Sequence, residues 1–99
     1  MRVLVAPEYR LDADFFCSSA GEAKRVLNEE AISRLLLVKG LPGREHGLDL
    51  LRWANHKNRL PGQVTVIDPN PMAKMELGEF LLSVGYRSAD ARNYFKMPY

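Results

Sequence analysis

Ninety-nine residues, 46% hydrophobic and 26% charged, have the composition of one globular domain, which excludes disorder over most of the chain. The 14 basic and 12 acidic residues leave a net charge of +2, a balance that does not argue for a nucleic-acid partner, because such binding needs clustered charge. The single cysteine, Cys17, excludes a disulfide within the chain and points to a reducing, cytoplasmic compartment, and no apolar run approaches the roughly 20 residues of a membrane span.

Arg2 to Ala6 is a compact apolar run stopped by Pro7 and predicts a buried first strand. The run is too short for the apolar region of a signal peptide, so none is expected. A polar loop, Glu8 to Asp14, leads to a shorter strand candidate over 14–17. Ser19-Ala20-Gly21-Glu22 has capping-box spacing, in which Ser19 caps the Glu22 amide and Glu22 reaches back to the Ser19 amide. Ala23, Val26 and Leu27 share one face, so a helix is predicted from Ala20 to Glu29. Ser33 to Lys39 is the most apolar stretch, continuous rather than alternating, as suits a central strand covered on both faces.

Gly40-Leu41-Pro42-Gly43 breaks that strand, and a second helix is predicted from His46 to Lys57, with Leu48, Leu50, Leu51 and Ala54 on its apolar side. Turn residues from Asn58 to Gly62 end it, and Gln63 to Ile67 predicts a further strand. Asn70 is placed to cap a third helix, with Pro71 at the first helical position. Ala73, Leu77, Phe80, Leu81 and Val84 share its apolar face, and Gly85 follows its end. Tyr86 to Tyr99 has no clean period and is expected to add an edge strand or a docked tail. The order β-β-α-β-α-β-α plus a C-terminal tail predicts one α/β domain over 1–99, with a core over 1–85, a mainly parallel sheet and helices on both faces.

Ligands of open parallel sheets bind outside the carboxyl ends of the strands. The corners to inspect are therefore Ala6-Pro7-Glu8, Cys17-Ser18-Ser19, Val38-Lys39-Gly40 and Ile67 to Pro71. A metal-assisted phosphate site needs about two or three converging carboxylates. The first corner offers Glu8 and the last offers Asp68, while the central corner has Lys39 and no acid.

Taken together, MRVLVAPEYR, SSAGEAKRVL, SRLLLVKGLPG, HGLDLLRWA and VTVIDPNPMAKMEL resemble the cyclic-phosphate processing receiver family over about Met1 to Gly85. The most specific parts are HGLDLLRWA, similar to the family's Gly-Tyr-Asp-Val-Leu-x-Trp helix start, and Asn70-Pro71, similar to its His-Ser-x-Asn-Pro corner. The resemblance implies a receiver-like (flavodoxin-like) three-layer fold. It also implies chemistry at cyclic phosphates, supported by a strand-end acid pair, an Asp-His-Asp element and a histidine before Asn-Pro. At those positions this chain carries Ala6 and Pro7, then Val38, Lys39 and Gly40, then Ile67. Asn70, Pro71, Gly47, Asp49 and Trp53 persist, and Arg10 matches the family's arginine after the acid pair with one extra residue before it.

Losing the acids and the histidine removes the charge-stabilising and proton-transfer groups together. The expectation is therefore a non-catalytic, pseudoenzyme-like interaction module with no catalytic residue, metal or cofactor. Such a stripped domain suits a phage or mobile-element protein that binds a host protein. The expected partner surface is Trp53, Lys57 and Arg59 with Tyr94 and Phe95 of the tail; a second copy of the chain is another candidate partner, and a membrane is not. One alternative is a residual site for a phosphate ligand or cyclic phosphate, formed by Arg10, Lys39, Asp68 and Asn70. A second is a nucleic-acid binder through Arg52, Lys57 and Arg59 and through Arg87, Arg92 and Lys96, which interleave with Tyr94 and Phe95. Plainer readings stand beside these: Lys39 as a solvated strand-end charge, Asp68 as a turn residue beside Pro69, His46 as a capping group and Cys17 as a small buried side chain.

Overall fold

The computed structural model describes residues 2–7 and 13–97, so Arg10 lies outside the described residues. The elements in chain order are β1 (Arg2–Val5), β2 (Phe15–Cys17), α1 (Ala20–Glu29), β3 (Arg34–Leu37), α2 (Gly47–His56), β4 (Gln63–Val66), α3 (Pro71–Ser83), β5 (Tyr86–Arg87) and β6 (Asn93–Lys96). The strands form one sheet in the order β2-β1-β3-β4-β6-β5.

Local chemistry sets the helix starts. Ser19 Oγ accepts the Glu22 amide at 3.3 Å, opening α1. The Glu22 carboxylate takes the Ser18 amide and hydroxyl, at 3.2 and 3.3 Å, rather than the Ser19 amide that a full capping box would use. Asn70 Oδ1 accepts the Met72 and Ala73 amides at 2.9 and 3.4 Å, with Pro71 as the first residue of α3.

The sheet is mixed, which corrects the mainly parallel expectation. β2, β1, β3 and β4 pair in parallel, but β6 is antiparallel to both β4 and β5. Residues 86–97 cause the difference. Gly85, at φ +102, turns the chain out of α3. The Asp90 carboxylate then organises the turn between β5 and β6, accepting the Arg92 and Asn93 amides at 3.0 and 2.8 Å and the Asn93 side-chain amide at 2.9 Å. Those bonds, from Asn93 first and then Arg92, hold the Asp90 carboxyl well below the usual carboxylate range. The turn sends β6 back between β4 and β5, where Tyr94 is 4% exposed and Tyr86 is fully buried. Tyr86 also donates its hydroxyl proton to the Pro61 carbonyl. The segment is thus part of the core sheet.

The helices also differ from expectation: α1, α2 and α3 form one layer. The connections β2-α1-β3 and β3-α2-β4 proceed in the same direction along the sheet, and right-handed crossovers then lie on one face. Accordingly α1 packs on α2 and α2 packs on α3. The β1–β2 connection runs the other way and would place a helix on the second face. The second face carries no helix among the described residues.

The core fills the space between the sheet and the helix layer. Val3, Leu35 and Val64 share a register row with Tyr94, and all are buried. Ala23 and Leu27, Leu50 and Leu51, and Leu77 and Leu81 close over them from the three helices. Each fully buried leucine contributes about 2 kcal/mol by loss of apolar surface from water.

A close approach of backbone to backbone marks the start of α2. The Gly47 amide donates to the Lys39 carbonyl at 2.7 Å, and a Cβ on Gly47 would collide with the Val38 carbonyl oxygen and come within 3.0 Å of Lys39 Cα. Both obstacles are backbone, so neither swings aside. Gly47→Ala is expected to cost about 1–3 kcal/mol through this overpacking. Gly21→Ala, on the exposed side of α1 with the nearest atom 4.0 Å away, is expected to gain about 0.5–1 kcal/mol. Urea unfolding of the two variants measures both signs, and a Gly47→Ala protein as stable as the parent contradicts the close approach.

Candidate functional site

The carboxyl ends of β3 and β4 meet where Ile67 donates to the Leu37 carbonyl at 3.0 Å. One residue further, Asp68 turns inward and is 8% exposed. Its Oδ2 accepts the Lys39 amide at 2.9 Å and its Oδ1 accepts the Asn70 amide at 2.9 Å. One carboxylate thus ties the chain after β3 to the chain after β4. The Lys39 ammonium reaches across to Glu76 of α3, 2.6 Å away. His46, the residue before α2, accepts the Leu41 amide on Nδ1 at 3.2 Å and gives its own amide to Asp49 at 2.9 Å. These residues surround a shallow cleft of about 430 Å³.

The fold therefore brings together Lys39, Asp68 and Asn70, three of the four residues considered for a phosphate ligand. Their groups are already engaged. A phosphate at a strand-end corner is held by free backbone amides and open cations. Here the Lys39 and Asn70 amides point at Asp68, the Met72 and Ala73 amides point at Asn70, and the ammonium pairs with Glu76. Asp68 occupies the amides as an internal anion. Among the described residues no group of three or more histidine, cysteine, aspartate or glutamate side chains is placed to hold a metal ion.

Cys17 closes β2 and is 2% exposed. Burial first, and then the Glu22 carboxylate, push its thiol up to about 11. The nucleophilic thiolate is therefore scarce at neutral pH.

The residues expected to form a partner surface do not form one patch. Trp53 is half-buried, with the Lys24 ammonium 5.6 Å from its ring centre, and Lys24 also pairs with Glu45 at 2.5 Å. Lys57 and Arg59 are exposed beyond the end of α2. Tyr94 and Phe95 point to opposite faces of β6, so Tyr94 lies inside the core and Phe95, 49% exposed, projects from the sheet face without helices. Arg52 is exposed on the helix layer, away from Arg87 and Phe95.

Two surfaces were missed in the sequence. Along α3, Met72, Met75 and Leu82 are 62%, 52% and 47% exposed. Their spacing was readable as a second apolar stripe on a helix that already had one. The other is a row of side chains across the helix-free face, which depends on strand register and left no local signal. Comparison of the chain with protein-family models, curated proteins and solved structures returned no match.

Asp68→Ala is expected to cost about 1–3 kcal/mol, because two amides lose a charged acceptor in a buried place. Lys39→Ala removes only a surface ion pair and is expected to change stability by less than about 1 kcal/mol. Urea midpoints compare the two, and equal losses contradict the joint described for Asp68. Cys17 is expected to react with a thiol reagent at pH near 8 only as fast as the chain opens, about as its burial and raised pKa require. Full modification within the mixing time under native conditions contradicts that.

Proposed function

We propose that the chain is a non-catalytic, receiver-like interaction module that binds a protein partner. The observation that carries this reading is the closure of the strand-end corner, where Asp68 and Lys39 are both satisfied by groups of the chain itself. A site for cyclic phosphates would need open acids or cations at that place. The alternative of a retained phosphate ligand is disfavoured for the same reason, since Glu76 already neutralises Lys39.

Partner contact is assigned to the outer side of α3. Met72, Met75 and Leu82 present unbranched or flexible apolar side chains to solvent, the kind that repack against a partner. Beside them a cleft of about 520 Å³ runs between α3 and the turn before β6. Pro71, Gly78 and Tyr94 line it, and Lys74, Glu79, Asp90 and Arg92 add charges of both signs. An apolar stripe with a charged border is the form of a protein-docking surface.

The test is capture of a partner from host lysate by the full chain and by a Met75→Glu/Leu82→Glu double variant of unchanged circular dichroism. A partner held by the parent and lost from the variant supports the reading. Turnover of a cyclic phosphate by the parent with any divalent metal ion sinks it.

A further inference from the structure

The helix-free face of the sheet carries a row that neither the corner nor α3 uses. Strand register aligns Arg2 of β1, Arg34 of β3, Gln63 of β4, Phe95 of β6 and Arg87 of β5. Residues in register on neighbouring strands project from the same face. Tyr94 turns toward Gly78 of α3, so its neighbour Phe95 and the whole row point away from the helices. Phe95 is 49% exposed, Arg2 and Arg87 are exposed, and Arg34 and Gln63 are half-buried. With strands about 4.8 Å apart, the steps from β1 to β5 spread the row over about 19 Å.

The charge on this row is one-sided. Among the described residues the ion pairs are Lys24–Glu45 and Lys39–Glu76, and neither involves Arg2, Arg34 or Arg87. Arg87 donates to the Tyr86 carbonyl at 2.8 Å, which fixes it beside Phe95. Asp14 stands beyond Arg2 at the β2 end, its carboxylate accepting the Arg2 amide at 2.7 Å. In the next row Thr65 donates its hydroxyl proton to Asn93 at 2.8 Å, so polar groups border Phe95 on that side as well.

We propose that this sheet face binds single-stranded nucleic acid. The Phe95 ring is the platform on which a base stacks, the three arginines hold phosphates on either side of it, and the Gln63 amide hydrogen-bonds a base edge. An exposed ring flanked by arginines that form no ion pair among the described residues matches the two needs of a single strand, an apolar surface for the base and cations for the backbone. An acidic peptide would use the arginines and leave the ring idle. A duplex keeps its bases stacked on each other and could not reach the ring. This function goes beyond the protein docking assigned to α3 and does not depend on it, since the two surfaces lie on opposite sides of the sheet.

Fluorescence anisotropy of the full chain with labelled oligothymidylate and oligouridylate of about a dozen nucleotides tests it, with site sizes of that order being usual. Three phosphate contacts predict a log–log salt slope of about −2, or roughly twentyfold weaker binding at about 200 mM salt than at about 50 mM. Phe95→Ala is expected to weaken binding at least about fivefold, and Phe95→Leu, which keeps apolar bulk without the ring, to weaken it similarly. Arg34→Ala is expected to make the slope shallower by about 0.7. The Arg52→Ala/Lys57→Ala variant, altered only in the helix layer, is expected to bind like the parent. The proposal is overturned by no binding at the lower salt, by indifference to Phe95→Ala, by loss in the Arg52→Ala/Lys57→Ala variant, or by oligoglutamate binding as tightly as the oligonucleotides.

Discussion

The carboxylate of Asp68 is the joint on which the middle of this domain depends. It takes the Lys39 amide on one oxygen and the Asn70 amide on the other, so the ends of β3 and β4 are fixed together. Two helix starts follow from that. The Asn70 side chain, held in place, caps α3 through Met72 and Ala73. On the other side the Lys39 carbonyl receives the Gly47 amide at 2.7 Å, which sets the first turn of α2 against the end of β3. Lys39 is therefore gripped through both of its backbone polar groups. The joint also closes the corner. An external anion would have to displace a nearly buried carboxylate from the amides and Glu76 from the ammonium, and every such exchange loses bonds the folded chain already has.

With the corner closed, the surfaces that remain open are those created by the layer arrangement. Three helices on one side leave the other side of the sheet without helical cover among the described residues. The helix-facing row through Val3, Leu35, Val64 and Tyr94 is buried throughout. The neighbouring row on the other face runs from Arg2 and Arg34 through the polar Gln63 to Phe95 and Arg87. The β5–β6 segment completes this face: its turn, ordered by Asp90, delivers Phe95 to the surface and Tyr94 to the core in consecutive residues. The outer side of α3 is a second, apolar surface, and the same Tyr94 lines the cleft along its edge.

Much of the fold was legible where a signal is local. Asn70-Pro71 and Ser19 marked helix starts, and the spacing of Ala23 and Leu27 marked the buried face of α1. What failed was non-local. The apolar run before Lys39 suggested helices on both faces, yet Leu4 and Leu36, on the second face, are 0% and 6% exposed with no helix over them among the described residues. Burial there does not specify its cover. Tyr86 to Lys96 showed no period because its strands have only two and four residues, too short for alternation to register. Asp68 and Asn70 were read as one corner after β4, but its closure was invisible: Glu76 lies 37 positions from Lys39, and Asp68 lies 29 positions from the same residue. The Lys24 ammonium over the Trp53 ring is another contact between distant positions that left no local signal.

The central claim, that the strand-end corner is a closed structural joint, is tested most directly by a nitrogen–proton correlation spectrum of the full chain titrated with magnesium ions and inorganic phosphate. The amide signals of Lys39, Asn70, Met72 and Ala73 are predicted to stay in place at every concentration, because each is already bonded to Asp68 or Asn70. Saturable shifts of the Lys39 and Asn70 signals together would show an anion seated on the amides that Asp68 holds and would contradict the account.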